Sequence, residues 1–196
     1  MSSNIPYIFR EAGTGDADEI SELIGSTWAK FFGYSVSESD LETYLTKTVS
    51  VSQIRLEIQD PDKRFLVAVA APHASLAQFG VGGDNGQREI KDHAIVGVVQ
   101  LNLNTTESSL ITLNPIELNR LYINPNLQGS GLAPLLLNYA EKESRKLGKG
   151  GIWLGVWENN ARGIRFYEKM GFVRRGEHSF WVGESERRDW IMEKAL

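Results

Sequence analysis

The chain predicts a mixed α/β fold built on one sheet. Three observations carry that expectation. Apolar runs of strand period and of helix period follow one another in the order β α α β β β α β α β β. A polar, glycine-rich turn, Asn124-Pro125-Asn126-Leu127-Gln128-Gly129-Ser130-Gly131-Leu132-Ala133, joins a strand pattern to a helix pattern. Finally, 196 residues, 41% of them apolar and without internal repeats, suit a single domain spanning 1–196.

Taken in order, Tyr7–Glu11 reads as the first strand, and Asp16 opens a helix whose Ile20, Leu23, Ile24, Thr27 and Trp28 share a face. Ser39 and Glu42 have capping-box spacing and start a second helix that turns Leu41, Tyr44 and Leu45 inward. Residues 65–70 and 95–103 are short, apolar and valine-rich, and read as an antiparallel pair. Residues 71–92 between them are long and glycine-bearing, and read as a loop insertion. Residues 117–123 form a strand and 132–147 a long helix, with Gly150-Gly151 as its stop signal. Strand 152–157 follows, then a helix from Asn159-Asn160 carrying Ile164, Phe166, Tyr167 and Met170 and ended by Gly171. Strands 172–182 and 189–195 flank a turn at Gly183-Glu184-Ser185-Glu186.

Composition excludes several chemistries. The chain has no cysteine, so disulfides, thiolate metal sites and cysteine nucleophiles are ruled out. His73, His93 and His178 are too scattered to suggest a metal site. The N-terminus lacks a basic start before an apolar core, and no apolar run approaches the roughly 20 residues that span a bilayer, so a cytoplasmic location is expected. A net charge of −4 argues against general nucleic-acid binding. Charge is nevertheless uneven: residues 1–60 carry ten acidic and four basic side chains, residues 117–176 five acidic and ten basic. If both regions border one cleft, one end favours an anion and the other a cation, although ordinary solvated surface explains the same counts.

The turn at 128–133 ends a strand and opens a helix, so unpaired N–H groups gather at the positive end of a helix dipole, a setting that binds phosphate. A dinucleotide fingerprint fails because Pro134 stands where its third glycine belongs.

A strand, Gln128-Gly129-Ser130-Gly131-Leu132-Ala133, a helix, another strand, and then Asn160, Gly163, Phe166-Tyr167 and Gly171-Phe172 at their spacing together resemble the Gcn5-related N-acetyltransferases (GNAT). Residues 153–158, 166–172 and 176–180 and the C-terminal end are similar to the bacterial PaiA-type polyamine N-acetyltransferases. The resemblance implies a GNAT fold: a mostly antiparallel mixed sheet, splayed between its fourth and fifth strands, with helices on both faces. It also implies acetyl-CoA as donor, no metal, and direct transfer to a primary amine, plausibly spermidine or spermine, without nucleic acid or membrane.

By the same resemblance, the pyrophosphate sits on backbone N–H groups of Gln128, Gly129, Ser130, Gly131, Leu132 and Ala133, and the pantetheine amides on the backbone of Leu121, Tyr122 and Ile123. Asn160 orders the cofactor from the other side, or caps its own helix. Glu117, eleven residues before Gln128, holds the offset of the general base in histone-type members, and strand alternation puts Asn119 and Leu121 on its face. A carboxylate that only attracts a cation is the other reading. Tyr167 matches the acid that assists the departing thiolate, since a phenol with a pKa of about 10 stays protonated. The stretch containing Trp28, Phe31, Phe32 and Tyr34 links the first two helices and borders the acceptor, with Glu38 and Asp40 near; core packing explains these residues equally. Two alternatives stay open: a protein or peptide acetyltransferase, and a CoA-binding regulatory module with little turnover.

Overall fold

Strands buried on both faces need apolar residues at nearly every position, and the two valine-rich runs become such strands in the interior of the sheet. The computed structural model describes residues 7–72, 92–182 and 185–196. Its elements are β1 (Tyr7–Glu11), α1 (Ala17–Phe32), α2 (Glu38–Thr43), α3 (Val51–Gln59), β2 (Lys63–Ala70), β3 (Ile95–Asn102), β4 (Pro115–Ile123), α4 (Leu132–Lys146), β5 (Gly151–Trp157), α5 (Ala161–Lys169), β6 (Val173–Val182) and β7 (Ser185–Ala195). The strands form one seven-stranded sheet in the order β1-β2-β3-β4-β5-β7-β6. All neighbours are antiparallel except β4 and β5, which the α4 crossover makes parallel.

Two apolar cores sit on opposite faces. On one, Ile20, Ile24 and Trp28 of α1 and Ile54 of α3 pack on Val67 and Val98. On the other, Leu132, Leu136, Leu137 and Ala140 of α4 and Ile164 of α5 pack on Val99, Leu101, Ile116 and Leu118. Burying a side chain of this kind contributes roughly 1.5–3 kcal/mol, so each helix is held by its stripe rather than by propensity.

Several expectations need correction. A third helix, α3, stands before β2; its signal was present, because Ser50 accepts a hydrogen bond from the Gln53 N–H at 3.3 Å and Ser-x-x-Gln is a capping spacing. The second helix is capped by Ser37, which accepts from the Asp40 N–H at 3.1 Å, and not by Ser39. Residues Trp28, Phe31 and Phe32 lie in the last turns of α1 instead of in a connection. Gly150 and Gly151 do not end α4, which stops at Lys146. They let the 112–113 segment approach: a Cβ on Gly150 would collide with the Leu113 carbonyl oxygen, and one on Gly151 with Thr112 Oγ1. Nearly all of the expected insertion (73–91), His73, and Gly183-Glu184 lie outside the described residues.

Two irregularities shape the site. β4 and β5 pair only at Pro115↔Gly151, Ile116↔Ile152 and Glu117↔Trp153, then separate, leaving the edge of β4 from Leu118 to its end unpaired. In β4 the register against β3 jumps from Arg120↔Gln100 to Leu118↔Leu101, so Asn119 is an extra residue in a bulge. The bulge reverses the alternation. Leu121 and Ile123 join Leu118 on the α4 face, while Glu117 shares the α1 face with Arg120 and Tyr122. The expectation that Leu121 shares the face of Glu117 is therefore corrected.

Candidate active site

Polar residues that end a strand and start a helix must take unusual backbone angles, and glycines make this possible. Gly129 and Gly131 have φ of +84° and +81°, in the left-handed region that suits glycine. Nothing lies within 4 Å of a Cβ built on either, so open space faces them. Ser130 Oγ accepts from the Tyr7 hydroxyl at 3.1 Å and from the Leu132 N–H at 3.4 Å, which pins the loop to β1. Among the described residues, the turns and caps of the fold leave the N–H groups of Gly129, Gly131 and Ala133 without a backbone acceptor. Arg162, in the first turn of α5, donates to Gln128 Oε1 and brings a guanidinium beside the loop. Sequence reasoning missed Arg162, although it lies between the motif residues Asn160 and Gly163.

Asn160 caps α5, its Oδ1 accepting from the Gly163 N–H at 2.9 Å. A Cβ at Gly163 lies 2.5 Å from Asn160 Nδ2, so the missing side chain leaves room for the cap. α5 carries Tyr167 toward the sheet, where its ring meets Phe166 at 5.1 Å and Phe172 at 5.5 Å between centroids. Burial, and secondarily the nearby Tyr122 phenol, hold the Tyr167 phenol well above the usual range, so it stays protonated.

Glu117 sits at the last paired position before the sheet opens. It accepts from Asn102 Nδ2 at 2.9 Å and from Asn119 Nδ2 at 3.1 Å. Next to it, Arg120 donates to Gln100 Oε1 and to Glu57 of α3, and Lys63 lies 3.7 Å from Glu57. The Tyr44 and Tyr122 hydroxyls are hydrogen-bonded, and burial raises both phenols.

On the same face beyond the vertex, β5 presents Trp153, Gly155 and Trp157 opposite Glu193, Ile191 and Asp189 of β7. The segment 103–114 crosses over them. Thr105 accepts from Trp153 Nε1 at 3.3 Å, Glu107 lies 2.8 Å from His178 Nδ1, and Thr112 and Ile111 donate to Glu193. The aromatic residues are divided by the structure. Trp28 is buried and stacked on Tyr44 at 4.3 Å, Phe32 meets Trp157 at 6.3 Å, and Tyr34, 79% exposed, meets Trp157 at 6.3 Å from outside. Phe31 contacts the Lys30 ammonium and takes no part in this cluster. A separate groove of about 330 Å³ between α1 and the 124–126 turn, lined by Glu19, Glu22 and Lys30, contains neither Glu117 nor Tyr167.

Among the described residues no group of three His, Cys, Asp or Glu is placed to hold a metal ion. No helix among them is long and apolar enough to cross a membrane.

Comparison with known proteins bears on this arrangement. The family model described as acetyltransferase (GNAT) family matches residues 41–172. An uncharacterised N-acetyltransferase from the pepI 3' region of Lactobacillus delbrueckii subsp. lactis is 27% identical over 181 residues, covering 92% of each chain. A PaiA N-acetyltransferase from Thermoplasma acidophilum, solved with coenzyme A, superposes with a TM-score of 0.70 at 24% identity, covering 97% of this chain and 99% of that one. Spermidine/spermine N-acetyltransferase SpeG from Vibrio cholerae superposes with a TM-score of 0.62 at 20% identity, covering 99% and 95%. At these identities the two structures speak for the fold alone.

Proposed function

We propose, from the premise that this chain belongs to the acetyltransferase (GNAT) family and is an acetyl-CoA-dependent N-acetyltransferase, that it passes the acetyl group directly to a primary amine of a small molecule. The observation that carries the reading is the opening of the sheet after Glu117, with a glycine loop at one end and two candidate proton carriers, Glu117 and Tyr167, beside it.

Acetyl-CoA supplies an acetyl group on a thioester whose carbonyl carbon is open to a neutral amine. The N–H groups of Gly129, Gly131 and Ala133 and the Arg162 guanidinium suit its pyrophosphate. The free edge of β4 at Leu121, Tyr122 and Ile123 suits its amides, as a strand edge suits any extended chain. Gln128, Ser130, Leu132 and Asn160 hold these donors in place. An alkylammonium, with a pKa of about 10, must first lose a proton, and Glu117 takes it directly or through water. The amine nitrogen then bonds to the carbonyl carbon as the C–S bond breaks; the leaving thiolate takes the Tyr167 proton, and the second proton shed by nitrogen as the amide forms passes through water to restore the Tyr167 phenol.

A polyamine acceptor is the finer expectation. Its support is the likeness to folds named for PaiA and for spermidine/spermine transfer, together with the carboxylates of Glu117, Asp189 and Glu107 on one face. A second small-amine reading is favoured by Arg187, whose buried Nε and Nη2 have no hydrogen-bond partner.

The test is release of free CoA from acetyl-CoA with polyamines, aminoglycosides, amino acids and peptides. Release with small amines is the expected result. Release with peptides only supports a protein acetyltransferase, and tight CoA binding without release supports a regulatory module. Gly131→Val is expected to weaken CoA binding about tenfold, because a left-handed backbone costs other residues roughly 1–2 kcal/mol. Isothermal titration of CoA checks this, and unchanged affinity removes the loop from the cofactor site.

A further inference from the structure

A guanidinium never deprotonates at ordinary pH, so a buried one needs acceptors for its hydrogens. Arg187 of β7 is 7% exposed, and its Nε and Nη2 are buried without a hydrogen-bond partner. What surrounds it is aromatic: its guanidinium carbon lies 3.8 Å from the Trp157 ring centroid, 5.8 Å from Trp28 and 5.9 Å from Phe32. These rings stabilise the charge but accept no strong hydrogen bond. Two residues along the same strand face, Asp189 has an equally buried Oδ1 without a partner. Opposite charges on one face leave these atoms unpaired with each other, although pairing is the usual way to offset burial. Both border the acceptor face: Asp189 is paired with Trp157 and with His178, and Arg187 follows under Phe32 and Trp28.

We propose that the acceptor is an amine that also carries a carboxylate, which Arg187 holds through its planar fork while Asp189 faces the cationic part. The fork matches a carboxylate in two parallel bonds, and aromatic walls strengthen that pairing by excluding water. A polyamine offers nothing to these donors and places a cation against a buried cation. The inference rests on transfer to a primary amine and narrows the acceptor to a zwitterionic class. Arg187 is thereby a specificity residue. No sequence motif marks it; only its burial without partners does.

Matched acceptors that differ only in the carboxylate test this: lysine against cadaverine, and ornithine against putrescine, with spermidine alongside. The first readout is kcat/KM for CoA release by the wild-type protein. The second is acceptor binding in the presence of CoA, followed by the fluorescence of Trp157 and its neighbours. The carboxylated member of each pair is expected to lead by at least about tenfold in kcat/KM, the scale of one charge-assisted contact. Arg187→Gln is expected to bring that ratio close to one and Arg187→Lys to keep part of it, a pattern that general loss of structure does not produce. Equal use of both members, or preference for the decarboxylated amines or spermidine, overturns the proposal without need of a variant. If no amine is acetylated, the transfer reading fails on its own. The Arg187 assignment then stands when lysine binds and Arg187→Gln abolishes binding, and falls when lysine binds no better than cadaverine.

Discussion

Replacing Tyr167 with phenylalanine is expected to lower kcat by about two to three orders of magnitude, the range that a positioned general acid contributes, while CoA affinity stays nearly unchanged. The ring packs against Phe166 and Phe172, and phenylalanine keeps that packing. Only the hydroxyl is removed. Among the described residues that hydroxyl has no hydrogen-bond partner, so its deletion strands none. Burial holds the phenol above the usual range and so protonated, which keeps its hydrogen available to a thiolate developing next to it. Steady-state and single-turnover rates with saturating acetyl-CoA, beside a CoA titration, read the two effects separately. Turnover within a factor of two of wild type takes Tyr167 out of the mechanism.

Glu193→Ala is expected to destabilise the protein by about 2–4 kcal/mol, since it removes the acceptor from two backbone N–H groups, a hydroxyl and a partly exposed arginine, each bond to a charged group being worth roughly 1.5–3 kcal/mol with some relief from solvent. The Glu193 side chain is fully buried on β7. It accepts from Thr112 N at 2.8 Å, from Ile111 N at 3.2 Å, from the Thr112 hydroxyl, and from Arg175 Nε at 2.9 Å. That one carboxylate ties the 103–114 segment down over β5 and β7, and the segment in turn carries Glu107 to His178. Urea unfolding measures the loss. A change below about 1 kcal/mol, the size of an ordinary surface effect, shows that the segment is held by other contacts.

The same carboxylate predicts a pH dependence. Burial pushes its pKa up, but the Thr112 hydroxyl, the Thr112 and Ile111 amides and Arg175 outweigh burial and hold it below the ordinary value. A folded-state pKa below the unfolded one, which is about 4.3 for glutamate, means the stabilisation is complete above that pH. It is lost as pH falls from there through the lower folded value. Glu193→Gln is expected to flatten this acid limb of the stability curve.

Much of the fold was legible because its signals are local. The Ile20, Leu23, Ile24 and Trp28 stripe of α1 and the near-continuous apolar runs in β2 and β3 record burial directly in the order of side chains. The glycine loop was legible for a related reason. A left-handed backbone at Gly129 and Gly131 is a demand each residue makes by itself. α3 was overlooked despite its Ser50 cap, because Val51, Ile54 and Ile58 form too short a stripe to stand out against a polar stretch.

The acceptor side was not legible, since strand pairing creates it between residues far apart in the chain. Sequence alone determined a mixed α/β sheet, the loop from Gln128 to Ala133, and the Asn160 to Tyr167 helix, all of them patterns within a few residues. Tertiary structure decided which face Glu117 occupies, through one extra residue at Asn119. It also decided that Glu57 of α3 meets Arg120 sixty-three positions later, and that Arg187 is enclosed by Trp28, Phe32 and Trp157 with donors unspent. Periodicity reports that a residue is buried. Register, bulges and the packing of α1 over β7 determine what it is buried against, and that is where the choice of acceptor lies.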